Sequence, residues 1–303
     1  MRIGISVCSS YPGIEPRTGA DWMVARARTA WSAGLDSLFV GDHHVTPTPY
    51  YQNTAILGRM LAEWGDRPAG ALYLLPLWHP VLLAEQVATL ATIAQGRFVL
   101  QCGLGGDPRQ AAGMGAPFGQ RRDHFELSLT LLRRLWAGEV VSSEAPPWPF
   151  DRARISPLPP EPIDVWIGAQ APVAIRRSAR MGEGWLASPG LTEAQAAESL
   201  SRYTQACAEF DRSPTAVAIR RDVYVGASSQ AARRVVQPYL DRGYRGFSEQ
   251  SLVFGSEAEV ADAFGRLGAM GYTDVIVRNL SSDQSESLET IEGLGRVREQ
   301  LGG

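Results

Sequence analysis

The chain has 303 residues, 45% of them hydrophobic and 20% charged, with a formal net charge of −3. That is apolar enough to fill one large core or two modest ones, and too apolar for disorder. All 29 basic residues are arginine, which excludes a P-loop lysine, a pyridoxal or aldolase Schiff base and a carbamylated-lysine metal bridge.

The slightly acidic balance argues against a nucleic-acid partner, which normally needs a basic face. No apolar run reaches the roughly 20 residues of a membrane span. Met1 leads straight into Arg2–Val7 without a signal-peptide core, so a cytoplasmic protein is expected. Cys8, Cys102 and Cys207 form no CxxC pair and read as small buried hydrophobes.

Residues 3–7 read as a strand. The helix that follows carries Met23, Ala27, Ala30 and Trp31 at helical spacing, with Asp21 as its expected cap. Ser37–Val40 is a second strand, and a helix through Ile56, Met60 and Trp64 leads to a third over 71–75. Pro80 opens a helix with Leu83, Val87, Leu90 and Ala94 on one face; Gly96 ends it before a fourth strand over 98–102. Asp123 and Glu126 look like a capping pair for a helix carrying Leu129, Leu132 and Trp136.

Prolines then cluster around Trp148 and Phe150. Residues 138–162 read as an irregular surface excursion within a single domain spanning 1–303, because strand–helix alternation resumes at once. Strands over 165–167 and 184–186 flank a helix over 172–181. Thr192 with Gln195, and Ser256 with Glu259, are capping boxes ahead of two further helices. Between these lie a strand over 217–225 and a helix over 230–240; 274–277 is the last strand and 284–301 the last helix. Eight strands alternating with about as many helices allow a doubly wound sheet or a closed barrel. Length and count favour an α/β fold of the second kind, a (β/α)8 TIM barrel with an irregular insertion after the fourth β/α unit.

In such a barrel chemistry sits at the C-terminal ends of the strands. Behind the second strand stands Gly41-Asp42-His43-His44. A metal is not expected there: the only other histidines are His79 and His124, and adjacent residues point to opposite faces. Taken singly, either histidine is as readily a hydrogen-bonded scaffold residue as a functional one. Gly103-Leu104-Gly105-Gly106-Asp107, after the fourth strand, is a tight turn but no dinucleotide fingerprint, since Pro108 stands where the third glycine belongs. Gly168-Ala169-Gln170-Ala171-Pro172, after the fifth, is either an anion seat at a helix start or an ordinary turn.

Together these segments resemble the bacterial luciferase-like family of flavin-dependent and deazaflavin-dependent oxidoreductases. The resemblance is densest from Gly34 to Trp185 and is carried by the run from Ala33 to His44 and that from Leu75 to Leu90. Gly96-Arg97-Phe98, Gly103-Leu104-Gly105, Leu135-Trp136, Trp166-Ile167-Gly168 and Arg180 to Trp185 complete it.

It implies a flavin-type ring across the barrel mouth, bordered by Asp42 and His43, with His44 on the substrate side as acid or base. Ala71 and Leu72 would abut the ring, at a place where several relatives carry a non-proline cis peptide. Backbone groups of Gly168, Ala169, Gln170 and Ala171 would hold the phosphate, and Gly103 and Leu104 would line that side.

The luciferases typically read Glu-His-His where this chain reads Asp42-His43-His44, and deazaflavin enzymes often read Asp-His, which leans towards coenzyme F420. Leu104 stands where many FMN-dependent members have arginine, and Gly106 where some deazaflavin members have a catalytic glutamate. The resemblance therefore implies hydride transfer between F420 and an organic substrate. The alternatives are an FMN-dependent monooxygenase served by a separate flavin reductase, or a non-catalytic barrel acting as a dimer partner. A homodimer is expected. Trp148, Phe150, Tyr244 and Phe247 suggest an apolar ligand or, equally, a lid that packs on itself.

Overall fold

Eight parallel strands close into a barrel in the computed structural model of the chain, which describes residues 1–302. They are β1 (Arg2–Val7), β2 (Ser37–Val40), β3 (Ala69–Leu74), β4 (Phe98–Gly103), β5 (Asp164–Gly168), β6 (Gly184–Ala187), β7 (Ala216–Val225) and β8 (Asp274–Asn279). Each pairs with the next, and β8 pairs with β1 to complete the ring. The surrounding helices are α1 (Pro16–Ser32), α2 (Asn53–Met60), α3 (Pro80–Ile93), α4 (Arg121–Trp136), α5 (Pro172–Met181), α6 (Glu193–Glu209), α7 (Ser229–Asp241), α8 (Glu257–Met270) and α9 (Gln284–Gln300). This is the expected (β/α)8 barrel.

Strands buried on both faces need apolar residues at nearly every position, which is why they read as continuous runs. Outward residues such as Ile3, Ile5, Leu38, Val40 and Leu100 join the helices in one large core. Inward, Phe39, Val99, Trp166, Ala216, Ala218 and Ile276 fill the barrel, with the rings of Phe39 and Trp166 5.6 Å apart. Gly70 makes room for this floor: a Cβ there would lie 1.8 Å from the Val99 carbonyl oxygen and 3.3 Å from the Phe39 ring. The mouth above the floor is therefore open to polar residues.

The ten-residue β7 changes partners along its length. Ala216–Ile219 pairs with β6, whereas Val223–Val225 pairs with a short extra strand, Val253–Gly255. That strand belongs to a long excursion between β7 and β8 that also holds α7, α8 and two single turns of 3-10 helix, Tyr244–Gly246 and Glu249–Ser251.

Several local expectations need correction. Glu15, not Asp21, caps α1: its carboxylate accepts from the Thr18 N–H at 2.8 Å, and Pro16 supplies a preformed first turn. Asp123 sits inside the first turn of α4, which begins at Arg121 behind the 3-10 turn Phe118–Gln120. Ala94 ends α3, and Gly96 serves close approach instead, since a Cβ there would lie 2.2 Å from the Asp66 carbonyl oxygen. The 138–162 excursion contains a hairpin, Val141–Ser143 against Phe150–Ala153. Among the described residues the cis peptides are Pro146-Pro147 and Ser156-Pro157, so the Ala71-Leu72 bond is not one. Both capping boxes are present as read.

Candidate active site

A cavity of about 510 Å³ opens at the C-terminal ends of β1, β2, β3, β7 and β8, a size that suits a small ligand. Asp42, His43 and Leu72 line it; His44, Ala71, Gly103, Leu104 and residues 168–171 do not. His43, expected to border the ring, lines the cavity, whereas His44, expected on its substrate side, does not.

Asp42 is buried, and its Oδ2 accepts from the Leu74 N–H at 2.8 Å and from Trp78 Nε1 at 2.9 Å. This carboxylate ties the end of β2 to the end of β3. His44 is buried beside it, edge-on to Trp78 at 5.3 Å between ring centres. His44 Nε2 lies 3.0 Å from Asp42 Oδ1, but the two lack hydrogen-bond alignment and neither atom has another partner. His44 is thus part of the rim's scaffold, because alternation along the strand end turns it away from the cavity when His43 faces in.

His43 is exposed to the cavity and held by a residue that sequence reasoning passed over. Gln110 lies on the short helix Pro108–Gly113, which Asp107 caps by accepting from the Arg109 N–H at 2.9 Å. Gln110 Nε2 sits 3.0 Å from the His44 carbonyl oxygen and 2.8 Å from His43 Nδ1. A carbonyl oxygen can only accept, so the atom facing it is the amide nitrogen, and its second hydrogen goes to Nδ1. The neutral His43 ring then carries its proton on Nε2.

Val45, directly after the histidines, has a φ of +51°, an outlier for a β-branched residue. It fits because a Cβ at Gly113 would lie 2.8 Å from the Val45 methyls. Gly41 is needed for the same kind of reason: a Cβ there would lie 2.7 Å from the hydroxyl of Tyr50, which also lines the cavity. Burial pushes the Tyr50 phenol up to about 12.

The opposite wall is cationic. Arg220 from β7, Arg278 from β8 and Arg245 from the β7–β8 excursion all line the cavity. The carboxylate of fully buried Asp222 accepts from Arg245 Nη1 at 2.8 Å and from the Tyr244 hydroxyl at 2.9 Å, and lies 3.5 Å from Arg220 Nη2. Arg278 Nη2 lies 3.2 Å from Cys8 Sγ. Burial pushes the Cys8 thiol up and the Arg278 guanidinium more than offsets this, so the thiol is held below its ordinary value. Cys102 and Cys207 are buried as expected, but half-buried Cys8 belongs to the cavity. A signal for this wall was available: Arg220, Asp222 and Arg278 are charged residues at alternate, inward positions of apolar strands.

On β4, Gln101 shares the inward face with Val99 and is paired in register with Leu72; its Nε2 is buried without a partner. Leu104 lies in a smaller cleft with Leu77, Ala111 and Phe118. After β5, the Ala169 N–H donates to the Leu186 carbonyl oxygen at 3.3 Å and its own carbonyl accepts from Trp185 Nε1 at 2.9 Å. That N–H is spent within the barrel and cannot hold a phosphate. Gln170 and Ala171 are exposed, and no side chain caps the start of α5.

Trp148 and Phe150 pack on His79, and Tyr244 packs on Phe247, so these aromatics cover one another and none lines the cavity. Among the described residues, no three His, Cys, Asp or Glu side chains gather as a metal site requires, and no helix is long and apolar enough to cross a membrane.

Fold and site define a (β/α)8 barrel with a polar mouth at the C-terminal ends of its strands. Residues 1–269 match the family described as luciferase-like monooxygenase, and the chain belongs to that family. It is 32% identical to an F420-dependent glucose-6-phosphate dehydrogenase of Beutenbergia cavernae over 55% of this chain and 52% of that one. It is 25% identical to an F420-dependent hydroxymycolic acid dehydrogenase of Mycobacterium tuberculosis over 70% of this chain and 61% of that one. The chain spans little more than half the length of the curated relatives it matches, 56% and 52% in two of them. Among solved structures, the monooxygenase RslO1 of Streptomyces bottropensis superposes with a TM-score of 0.87 at 20% identity, covering 100% of both chains. The oxygenating constituent of 3,6-diketocamphane monooxygenase from Pseudomonas putida does so with a TM-score of 0.82 at 18% identity, covering 98% of this chain and 97% of that one.

Proposed function

We propose that the chain is an oxidoreductase that transfers a hydride between coenzyme F420 and a small organic substrate at the cavity bordered by Asp42, His43 and Leu72. The observation that carries this reading is His43, an imidazole at the cavity whose tautomer Gln110 fixes. The names of the curated relatives, F420-dependent dehydrogenases, support it.

The residues present fit such a cofactor. A flavin-type ring presents carbonyl oxygens, and Gln101 Nε2 is a buried donor without a partner beside Leu72. The uncapped start of α5, with Gln170 and Ala171, fits a phosphate. Gly168 at the end of β5 leads through Ala169 into that turn, and Leu104, after β4, offers no guanidinium of the kind FMN-dependent members use there.

When bound, the cofactor supplies the hydride chemistry. The chain's part is orientation and charge. His43 Nε2–H, which has no protein partner, donates to a substrate oxygen on which negative charge grows during reduction. Asp42 and His44 hold the rim from which His43 projects. A His43→Ala variant is expected to lose about two to four orders of magnitude in turnover with F420, with cofactor affinity nearly unchanged and an unaltered melting temperature. Full turnover in that variant would overturn the role of His43.

A further inference from the structure

We propose that Arg220, Arg278 and Arg245 form a seat for an anionic group of the substrate, a carboxylate or a phosphate. The word substrate rests on the oxidoreductase reading; the anion seat does not.

Charge balance is the first argument. Three guanidinium groups line the cavity and Asp222 is the carboxylate paired with them, while the Asp42 carboxylate accepts from Leu74 and Trp78 on the β2–β3 side. Arg278 has a thiol for a partner, and Arg220 Nε and Nη2 are buried without any hydrogen bond. Burial, together with the like charges of Arg245 and Arg278, pulls the Arg220 guanidinium down to about 10 despite Asp222. Uncompensated buried charge is costly, and a bound anion is the group that would balance it.

Two further features point the same way. Ser9 lines the cavity and is 4% exposed, with its hydroxyl close to the Tyr50 phenol, so a neutral donor shares the cavity with the cations. Arg245 is held at φ +50° between Gly243 at +72° and Gly246 at +71°. Left-handed backbone at a non-glycine residue persists where the surroundings impose it, here to bring the guanidinium to Asp222 and the cavity.

Position assigns the anion to the substrate. Around the ring, β8 stands opposite β4 and β1 opposite β5. Arg220 on β7 stands opposite β3 and Arg278 on β8 opposite β4, and none of residues 168–171 at the start of α5, where the cofactor phosphate is proposed, lines the cavity that the arginines line. The substrate class is a small oxo or hydroxy compound bearing a carboxylate or phosphate, its oxygen towards His43 and its charged end towards β7 and β8.

Alkylation of Cys8 by iodoacetamide reports on the seat without turnover, because Cys8 lines the same cavity. Inorganic phosphate is the probe, added to the purified chain with and without F420. We expect saturable protection of Cys8, about tenfold at a phosphate concentration ten times its dissociation constant, and the same protection with F420 bound. Arg220→Gln should lose it. Ser6→Asp, which places a carboxylate on the cavity wall at β1, should also lose it while raising the melting temperature, so the test survives if Arg220→Gln misfolds.

Absence of protection in the unaltered chain, or protection retained in both variants, overturns the seat. Protection that F420 abolishes by competition assigns the arginines to the cofactor's acidic tail and overturns the substrate assignment. Protection by phosphate in a chain that binds no F420 overturns the F420 reading and leaves the anion seat standing.

Discussion

His43 and His44 are neighbours in sequence with different surroundings, and each should fail in its own way when removed. His44→Ala leaves Asp42 Oδ1 without its close contact and opens space against Trp78. The expected result is a loss of about 1–3 kcal/mol in stability, with turnover little changed in the folded fraction. Gln110→Leu should act through His43: nitrogen NMR of the imidazole should show one Nε2–H tautomer in the unaltered chain and a mixture in the variant. An unchanged tautomer there would remove Gln110 from the mechanism. Cys8 offers a third residue-level test. Its thiol, lowered by Arg278 against the effect of burial, should be alkylated near neutral pH well before Cys102 and Cys207, both pushed up by burial. Arg278→Met should move the alkylation profile of Cys8 to higher pH; an unmoved profile would contradict the influence of the Arg278 guanidinium 3.2 Å from its Sγ.

At the scale of elements, the barrel depends on inward glycines as much as on inward aromatics. Gly70→Ala would drive a Cβ into the Val99 carbonyl across β3 and β4, a backbone contact that cannot swing aside. A loss of about 3 kcal/mol is expected by chemical denaturation, and a loss within error would mean that the two strands part there at no cost.

The strands were legible in the sequence because burial on both faces makes them uniform apolar runs, and the capping boxes were legible because two side chains must meet two N–H groups at fixed spacing. The start of α1 was not, since Pro16 and Glu15 lie ahead of the first apolar repeat at Met23. The hairpin at 141–153 escaped for a different reason: its strands have three and four residues, too few to show a period. The cationic wall was written into β7 and β8, where alternation puts Ala218, Arg220 and Asp222 on one face and sends Arg221 outward to the Pro189 carbonyl oxygen. The apolar residues on the other face of each strand mask it, and the aromatics that suggest a ligand in the sequence pack on His79 or on one another.

Across the whole molecule, the mouth of the barrel combines two arcs of opposite duty. The β2–β4 arc carries the ring-facing residues proposed here, and the β7–β8 arc carries a buried ion cluster that also bears on stability. Burial pushes the Asp222 carboxyl up, and Arg220, Arg278 and Arg245 more than offset this, holding it below the usual carboxylate range. A group depressed on folding stabilises the chain above its unfolded pKa of about 3.9 and loses that contribution as the pH falls through the lowered folded value. Asp222→Asn should therefore lower the melting temperature at neutral pH and flatten its decline on the acid side. An unaltered acid decline would show that Asp222 is not what couples the arginine wall to stability.

The central claim, that this barrel takes a deazaflavin at its mouth, is tested most directly by equilibrium titration of the purified chain with F420 and with FMN, followed by fluorescence. The account predicts saturation with one F420 for each chain and FMN binding at least about tenfold weaker, since no arginine stands at Leu104 to give the charge-assisted phosphate contact. Tight FMN binding with no measurable binding of F420 would contradict it.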